Sequence, residues 1–225
     1  VSAASFHPDS TITIVCINNC KWSAKGGDGG GTTNYAAGDG LDGAICLDAG
    51  AVVTSVYLSG DYTSDIGVIY NCSGWMKAPG GGGGGGVYSW IQLPYDGNYH
   101  ISKQATGAGG QGITGGIGGS GSKTSEWTYT EYYEGTDGSI SDHGYGQEYR
   151  VTSGAGRLAK GGDGGGFGQP GIAGEGYFNS SEEHYEDSGI GGIAGGAVNG
   201  SGVTIHKTGS NLILGNSDPV TIVEV

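Results

Sequence analysis

Basic side chains are scarce in this 225-residue chain: nine Lys and Arg stand against 22 Asp and Glu, a formal net charge of −13. A polymer of that sign repels nucleic-acid phosphates, and no basic patch with interleaved aromatics offsets it, so no nucleic-acid partner is expected. Anionic membrane surfaces are disfavoured for the same reason. Apolar residues reach only 35%, and the longest apolar run falls far short of a bilayer span, so membrane insertion is not expected either. No segment holds a 3.6-residue apolar period for three turns, which leaves almost no α-helix. The chain begins at Val1 without a signal-peptide pattern and reads as a processed product or a fragment.

Catalytic and metal signatures are also missing. There is no nucleophile elbow, no His-Glu-x-x-His and no phosphate-cradling loop. The run Gly80 to Gly86 leads into Val87 and Tyr88, without the Lys-Ser/Thr of a phosphate loop. The histidines His7, His100, His143, His184 and His206 are scattered. Carboxylates are numerous enough for a glycosidase pair, but nothing else supports one. Of the four cysteines, Cys16, Cys20, Cys46 and Cys72, only Cys16-x3-Cys20 is closely spaced, and no His follows at ligand distance. Four cysteines allow three pairings, and buried free thiols are the plain alternative. No enzyme, cofactor or metal site is expected.

What the chain has is glycine: 53 residues, close to a quarter, against about 7% in average usage. The clusters lack the strict third-residue period of collagen. They fall at residues 26–31, 38–43, 80–86, 107–121, 161–176 and 189–196. Ala24-Lys25-Gly26-Gly27-Asp28-Gly29-Gly30-Gly31 recurs unchanged as Ala159-Lys160-Gly161-Gly162-Asp163-Gly164-Gly165-Gly166. A looser echo puts Cys20 before Trp22 and Cys72 before Trp75, each just ahead of a glycine run. That echo suggests an apolar plug at the end of a glycine layer.

A flexible Gly/Ser linker is the ordinary meaning of such tracts. Here they repeat, carry Ile, Ala and Asp more than Ser, and alternate with strand-like runs. Those runs are Thr11 to Ile17, Val52 to Leu58, Gly67 to Tyr70, Val203 to His206 and Val220 to Val225. The ordered alternative is a mostly irregular or all-β chain: a bundle, or sandwich, of polyglycine-II helices with short flanking strands and long presented loops. An extended glycine helix has no internal hydrogen bonds, so its N–H and C=O groups must bond to neighbours. The expected division is an N-terminal strand and plug segment over 1–25, a glycine domain over 26–200, and C-terminal strands over 201–225.

Three segments break the glycine pattern: 87–106, 122–153 and 177–188. They hold 13 of the 21 aromatics. Their rings, Tyr88, Trp90, Tyr95, Tyr99, Trp127, Tyr129, Tyr132, Tyr133, Tyr145, Tyr149, Tyr177, Phe178 and Tyr185, are the candidate receptor-binding residues. Tyr and Trp give rigid contact area with a polar tip, and their faces stack on sugars. Acids lie between them, including Glu131, Glu134, Glu182 and Glu186.

The Ala-Lys-Gly-Gly-Asp-Gly-Gly-Gly blocks, the polyglycine run after Trp75 and the closing Gly192-Ile193-Ala194-Gly195-Gly196-Ala197-Val198 resemble the glycine-rich receptor-binding domains of tailed bacteriophages, such as tail-fibre tip adhesins. The resemblance spans roughly residues 10–215. It implies a polyglycine-II sandwich whose distal loops, here 87–106, 122–153 and 177–188, bind a bacterial outer-membrane protein or surface glycan. The setting it implies is a virion tail tip, outside the cell and joined to the rest of a fibre. A secreted structural protein or filament subunit is the alternative, and an antifreeze protein a more distant one.

Overall fold

The computed structural model describes residues 2, 6–7, 9–33, 36–92, 99–124, 130–150, 157–176 and 184–225. Among these there is no helix. The structure has two layers, a base of small parallel sheets around an apolar core and a lattice of glycine tracts standing on it.

The base uses the two ends of the chain and a middle section. Its first strands are β1 (Thr11–Val15), β2 (Cys20–Trp22), β3 (Leu47–Gly50), β4 (Val53–Tyr57), β5 (Ser59–Thr63) and β6 (Ile69–Lys77). A second group follows much later in the chain, after the strands β7 (Gly86–Gln92), β8 (Tyr99–Ala105), β9 (Ser120–Thr124), β10 (Thr130–Glu134), β11 (Glu148–Arg150), β12 (Arg157–Lys160), β13 (Glu175–Gly176) and β14 (His184–Ser188). That second group is β15 (Val198–Gly200), β16 (Val203–Lys207), β17 (Leu212–Ile213) and β18 (Thr221–Glu224).

One sheet runs β1-β4-β16-β18, wholly parallel. Another pairs β15 with β3, and a third runs β17-β6-β2 with β5 antiparallel to β6. Two-residue alternation turns Thr54, Val56, Val203 and Ile205 inward. They join Leu47, Leu58, Met76, Ala78 and Val198 in the core. Residues 47–77 therefore sit with the terminal strands and not with the glycine tracts around them in sequence. Their β-branched and apolar alternation buries a face, which a glycine tract has no side chain to do. Parallel neighbours need long crossovers, usually helical. Here the glycine lattice supplies them, since the chain leaves β2 or β6 for the lattice and returns to β3 or β15. The two Cys/Trp echoes become neighbours: β2 lies beside β6, with Lys21 opposite Trp75 and Trp22 opposite Met76.

The lattice is held by main-chain hydrogen bonds. The seven glycines from Gly80 are all buried. Their N–H groups change partner at each residue and return at the third. Gly80 and Gly83 donate to Gln111 and Ala108, Gly81 and Gly84 to Gln169 and Ile172, and Gly82 and Gly85 to Leu41 and Gly38. Their carbonyls accept in the same rhythm. Gly80 and Gly83 accept from Gly27 and Gly30, Gly81 and Gly84 from Gly165 and Gly162, and Gly82 and Gly85 from Gly192 and Gly189. One tract is thus bonded to six neighbours, three through its donors and three through its acceptors. This satisfies the N–H and C=O of Gly80 to Gly85 without an apolar side chain.

The aspartates of the identical octapeptides make matching hydrogen bonds. Asp28 and Asp163 each accept a backbone N–H at the main-chain oxygen, from Leu41 and Ile172 respectively. Each also accepts one at carboxylate Oδ1, from Ile117 at 2.8 Å and from Gly146 at 2.8 Å.

Candidate functional site

The hydrogen-bond register fixes where the long connections emerge. The chain crosses the lattice in residues 26–31, 38–43, 80–86, 107–112, 115–119, 135–139, 144–147, 161–166, 171–174 and 189–195, each pass running opposite to the one before. At one level lie the bonds Gly85 to Gly38, Gly107 to Gly30, Gly119 to Gly107, Gly135 to Gly119, Gln147 to Thr106, Gly161 to Gln147, Gly174 to Gly189 and Gly189 to Gly85, a belt across the lattice. Past that belt lie the described residues of the connections 32–37, 87–106, 120–134, 148–160 and 175–188. All five leave from the same pole. The opposite pole meets the base, where Gly168 donates to Ala78 and Gly195 to Pro79.

Four of these connections continue as strands. β7 pairs antiparallel with β8 and with β14, β9 with β10, and β12 with β11 and β13. Trp90 stands opposite Ile101 on β8 and His184 on β14. Tyr88 is opposite Lys103 and Glu186, Tyr99 opposite Gln92, and Tyr185 opposite Ser89. Tyr132 is opposite Ser122 and Tyr133 opposite Gly121. Tyr149 faces Ala159 where the register slips by a bulge. The pairing of β14 with β7 brings segments 177–188 and 87–106 side by side, although about ninety residues separate them in sequence. The remaining candidates, Tyr95, Trp127, Tyr129, Tyr177 and Phe178, lie outside the described residues.

Segment 122–153 divides. Residues 135–147 return to the lattice, because Gly135, Gly138, Gly144 and Gly146 provide the bare backbone it needs. Two separate hairpins result, and Tyr145 lies on the lattice flank and not at the pole. Tyr145 is 55% exposed. Its hydroxyl donates to Asp142 Oδ2 at 3.1 Å, and its ring centroid lies 5.0 Å from that of His143. The hydrogen bond to the Asp142 carboxylate pushes the Tyr145 phenol up, with the Asp142 charge adding to it.

A second aromatic group was not singled out from sequence. Tyr57 stacks on His206 at 4.0 Å and lies 4.7 Å from Tyr62, which lies 6.2 Å from Tyr70. The carboxylate Oδ1 of Asp61 accepts from Asn71 Nδ2 at 3.1 Å beside them. Two signals were available: the aromatic at Tyr57 ends an apolar strand, and Tyr62 and Tyr70 flank a turn-rich stretch. The β5–β6 hairpin places Tyr62 directly opposite Tyr70.

Aspartates line the lattice flank as acceptors for outward N–H groups. Asp39 Oδ1 accepts from Ile190 at 2.9 Å and Asp42 Oδ1 from Ile193 at 2.8 Å. Asp137 Oδ1 does the same for Gly118 at 2.7 Å. Among the described residues no group of three or more His, Cys, Asp or Glu is placed to hold a metal. Compared with protein-family models, with curated proteins and with solved structures, the chain has no match.

Proposed function

We propose that this chain is a receptor-binding adhesin of the kind its repeats resemble, the tip of a tailed-phage fibre, reading a bacterial surface protein or glycan. The glycine lattice is the rigid platform, and the connections beyond its belt are the reading surface. In this view the ten tracts are polyglycine-II helices. The return of each hydrogen-bond partner at every third residue supports that, because such a helix has three residues per turn. The observation that carries the functional reading is the shared pole. Five connections, three of them rich in aromatic residues, leave one end of a scaffold whose other end is built into a sheet base. Binding loops on a rigid frame follow this plan in other folds.

The net charge of −13 favours a protein loop or a neutral glycan over bare lipid-sugar phosphate. The test is adsorption of labelled protein to a panel of bacterial strains. Exchanging the hairpin 120–134 for that of another adhesin is expected to change which strains bind while the melting temperature holds. Equal binding by a chain lacking 87–106, 120–134 and 177–188 would refute the proposal.

A further inference from the structure

We propose that Cys16 and Cys20 form an intramolecular disulfide, made by exchange with a small-molecule disulfide of the glutathione class, that clamps the passage from β1 to β2.

The two thiols are brought together by backbone that other bonds already hold. Asn18 and Asn19 both have φ of 56°, a left-handed pair that reverses the chain in two residues. Asn tolerates that region better than most side chains. Each side of the reversal is then pinned to β6. Ser73 donates its N–H to the Cys16 carbonyl at 2.8 Å, and Ser73 Oγ accepts from Asn19 N–H at 3.0 Å. Cys20 lies in register with Gly74. Gly74 has no side chain where one would collide. A Cβ there would sit 3.0 Å from Cys16 Cβ and 3.2 Å from Cys20 Cβ. The two cysteine Cβ atoms therefore border one small space, and Cys20 beside it helps hold the Cys16 thiol protonated. A disulfide needs its Cβ atoms within about 3.5–4.5 Å, and two Cβ atoms 3.0 Å and 3.2 Å from one point stand no further apart than the sum of those distances.

Cys72 also acts on the Cys16 thiol, after Cys20, but each of the other two thiols contacts a carbonyl. Cys46 Sγ contacts the Lys77 carbonyl at 3.5 Å and Cys72 Sγ the Tyr70 carbonyl at 3.6 Å. The order of steps follows from exposure and charge. Burial pushes the Cys16 thiol up to about 12, so it stays protonated. Cys20 is only half-buried and starts the exchange. Its thiolate attacks one sulfur of the small disulfide, forming a mixed disulfide at Cys20 and expelling one thiolate. The expelled thiolate takes the Cys16 proton, and the Cys16 thiolate so formed attacks the Cys20 sulfur. The second small thiolate leaves and takes up the proton that Cys20 released. Two protein thiols and one small disulfide become one protein disulfide and two small thiols, so electrons and protons balance.

The test is incubation of the full chain with oxidised glutathione, followed by alkylation and peptide mass mapping. The expected product is lighter by two hydrogens. It links the Cys16 and Cys20 peptides, and Cys46 and Cys72 are alkylated only after unfolding. Cys20→Ser is expected to lose that product, and Cys72→Ser to keep it. Four alkylatable thiols after prolonged incubation would overturn the proposal. So would a cross-link through Cys46 or Cys72, or one between two chains.

Discussion

A single methyl group decides whether a residue belongs to the lattice. At Gly83 a Cβ would overlap the backbone carbonyl of Gly162. That oxygen belongs to a pinned tract, so it cannot swing aside as a flexible side chain does. Gly83→Ala is expected to cost well beyond the usual ~1 kcal/mol of a point change, read as a loss of melting temperature or of soluble protein. Gly166 has the same residue type in a repeat, yet a Cβ there would find only Gln111 Oε1 at 3.6 Å. Gly166→Ala should be neutral, or stabilising by up to about 1 kcal/mol through a less flexible unfolded chain. Equal losses at both positions would show that crowding is not the cause. The flank carboxylates work by hydrogen bonding. Asp42→Asn keeps an acceptor for Ile193 N–H, whereas Asp42→Ala is expected to cost about 1 kcal/mol in denaturant unfolding, as for a lost cap. Titration adds an independent signal. Burial raises the Cys46 thiol from 9.0 to about 11. Above pH 9 the unfolded chain releases this proton while the folded chain keeps it, so stability falls as pH rises to about 11. The loss approaches about 3 kcal/mol from this group. Cys46→Ala should flatten that alkaline decline.

At the level of elements, the strands of the base were readable because β-branched runs with two-residue alternation carry their own instruction. Thr11 to Ile17, Val52 to Leu58, Val203 to His206 and Val220 to Val225 contain β1, β4, β16 and β18 to within a residue or two. Gly67 to Tyr70 marked only the start of β6, which runs on through Cys72 and Trp75 to Lys77. The tracts were readable as tracts but not as neighbours, because a glycine has no side chain to specify its partner. The return of residues 135–147 was hidden for a related reason: its glycines are spaced by Thr136, Asp137, Ser139 and Asp142, and resemble an ordinary polar loop. The Tyr57, Tyr62, Tyr70 and His206 group was missed because His206 reaches Tyr57 only where β16 pairs with β4, far along the chain. These divisions predict separable behaviour. Replacing residues 121–133 by a two-residue turn removes β9 and β10 but leaves the belt bond from Gly135 to Gly119. The melting temperature should move by no more than a few degrees. Unfolding of that variant would mean the hairpin supports the lattice.

For the whole molecule, the two layers are stabilised by different physics and threaded so that neither forms alone. Parallel partners such as β4 and β16 are joined through the intervening lattice tracts. The lattice passes in turn are anchored through Ala78 and Pro79 at the edge of the core. Unfolding should therefore be one transition, and refolding slow, since nearly every contact closes a long loop. The stronger test is calorimetric. Exposing apolar surface raises the heat capacity on unfolding, whereas exposing polar peptide surface lowers it. Ordinary domains reach about 12–15 cal/mol/K per residue, so a chain of 225 residues would give roughly 3 kcal/mol/K. Here the apolar core is confined to the base, and what the lattice buries is mainly N–H, C=O and Cα. The measured heat-capacity change should fall clearly below that figure, while the enthalpy per residue, fed by peptide hydrogen bonds, should not fall in proportion. A value at or above the ordinary figure would mean that apolar burial holds the tracts together. The lattice would then not be the hydrogen-bonded platform on which the proposed recognition pole depends.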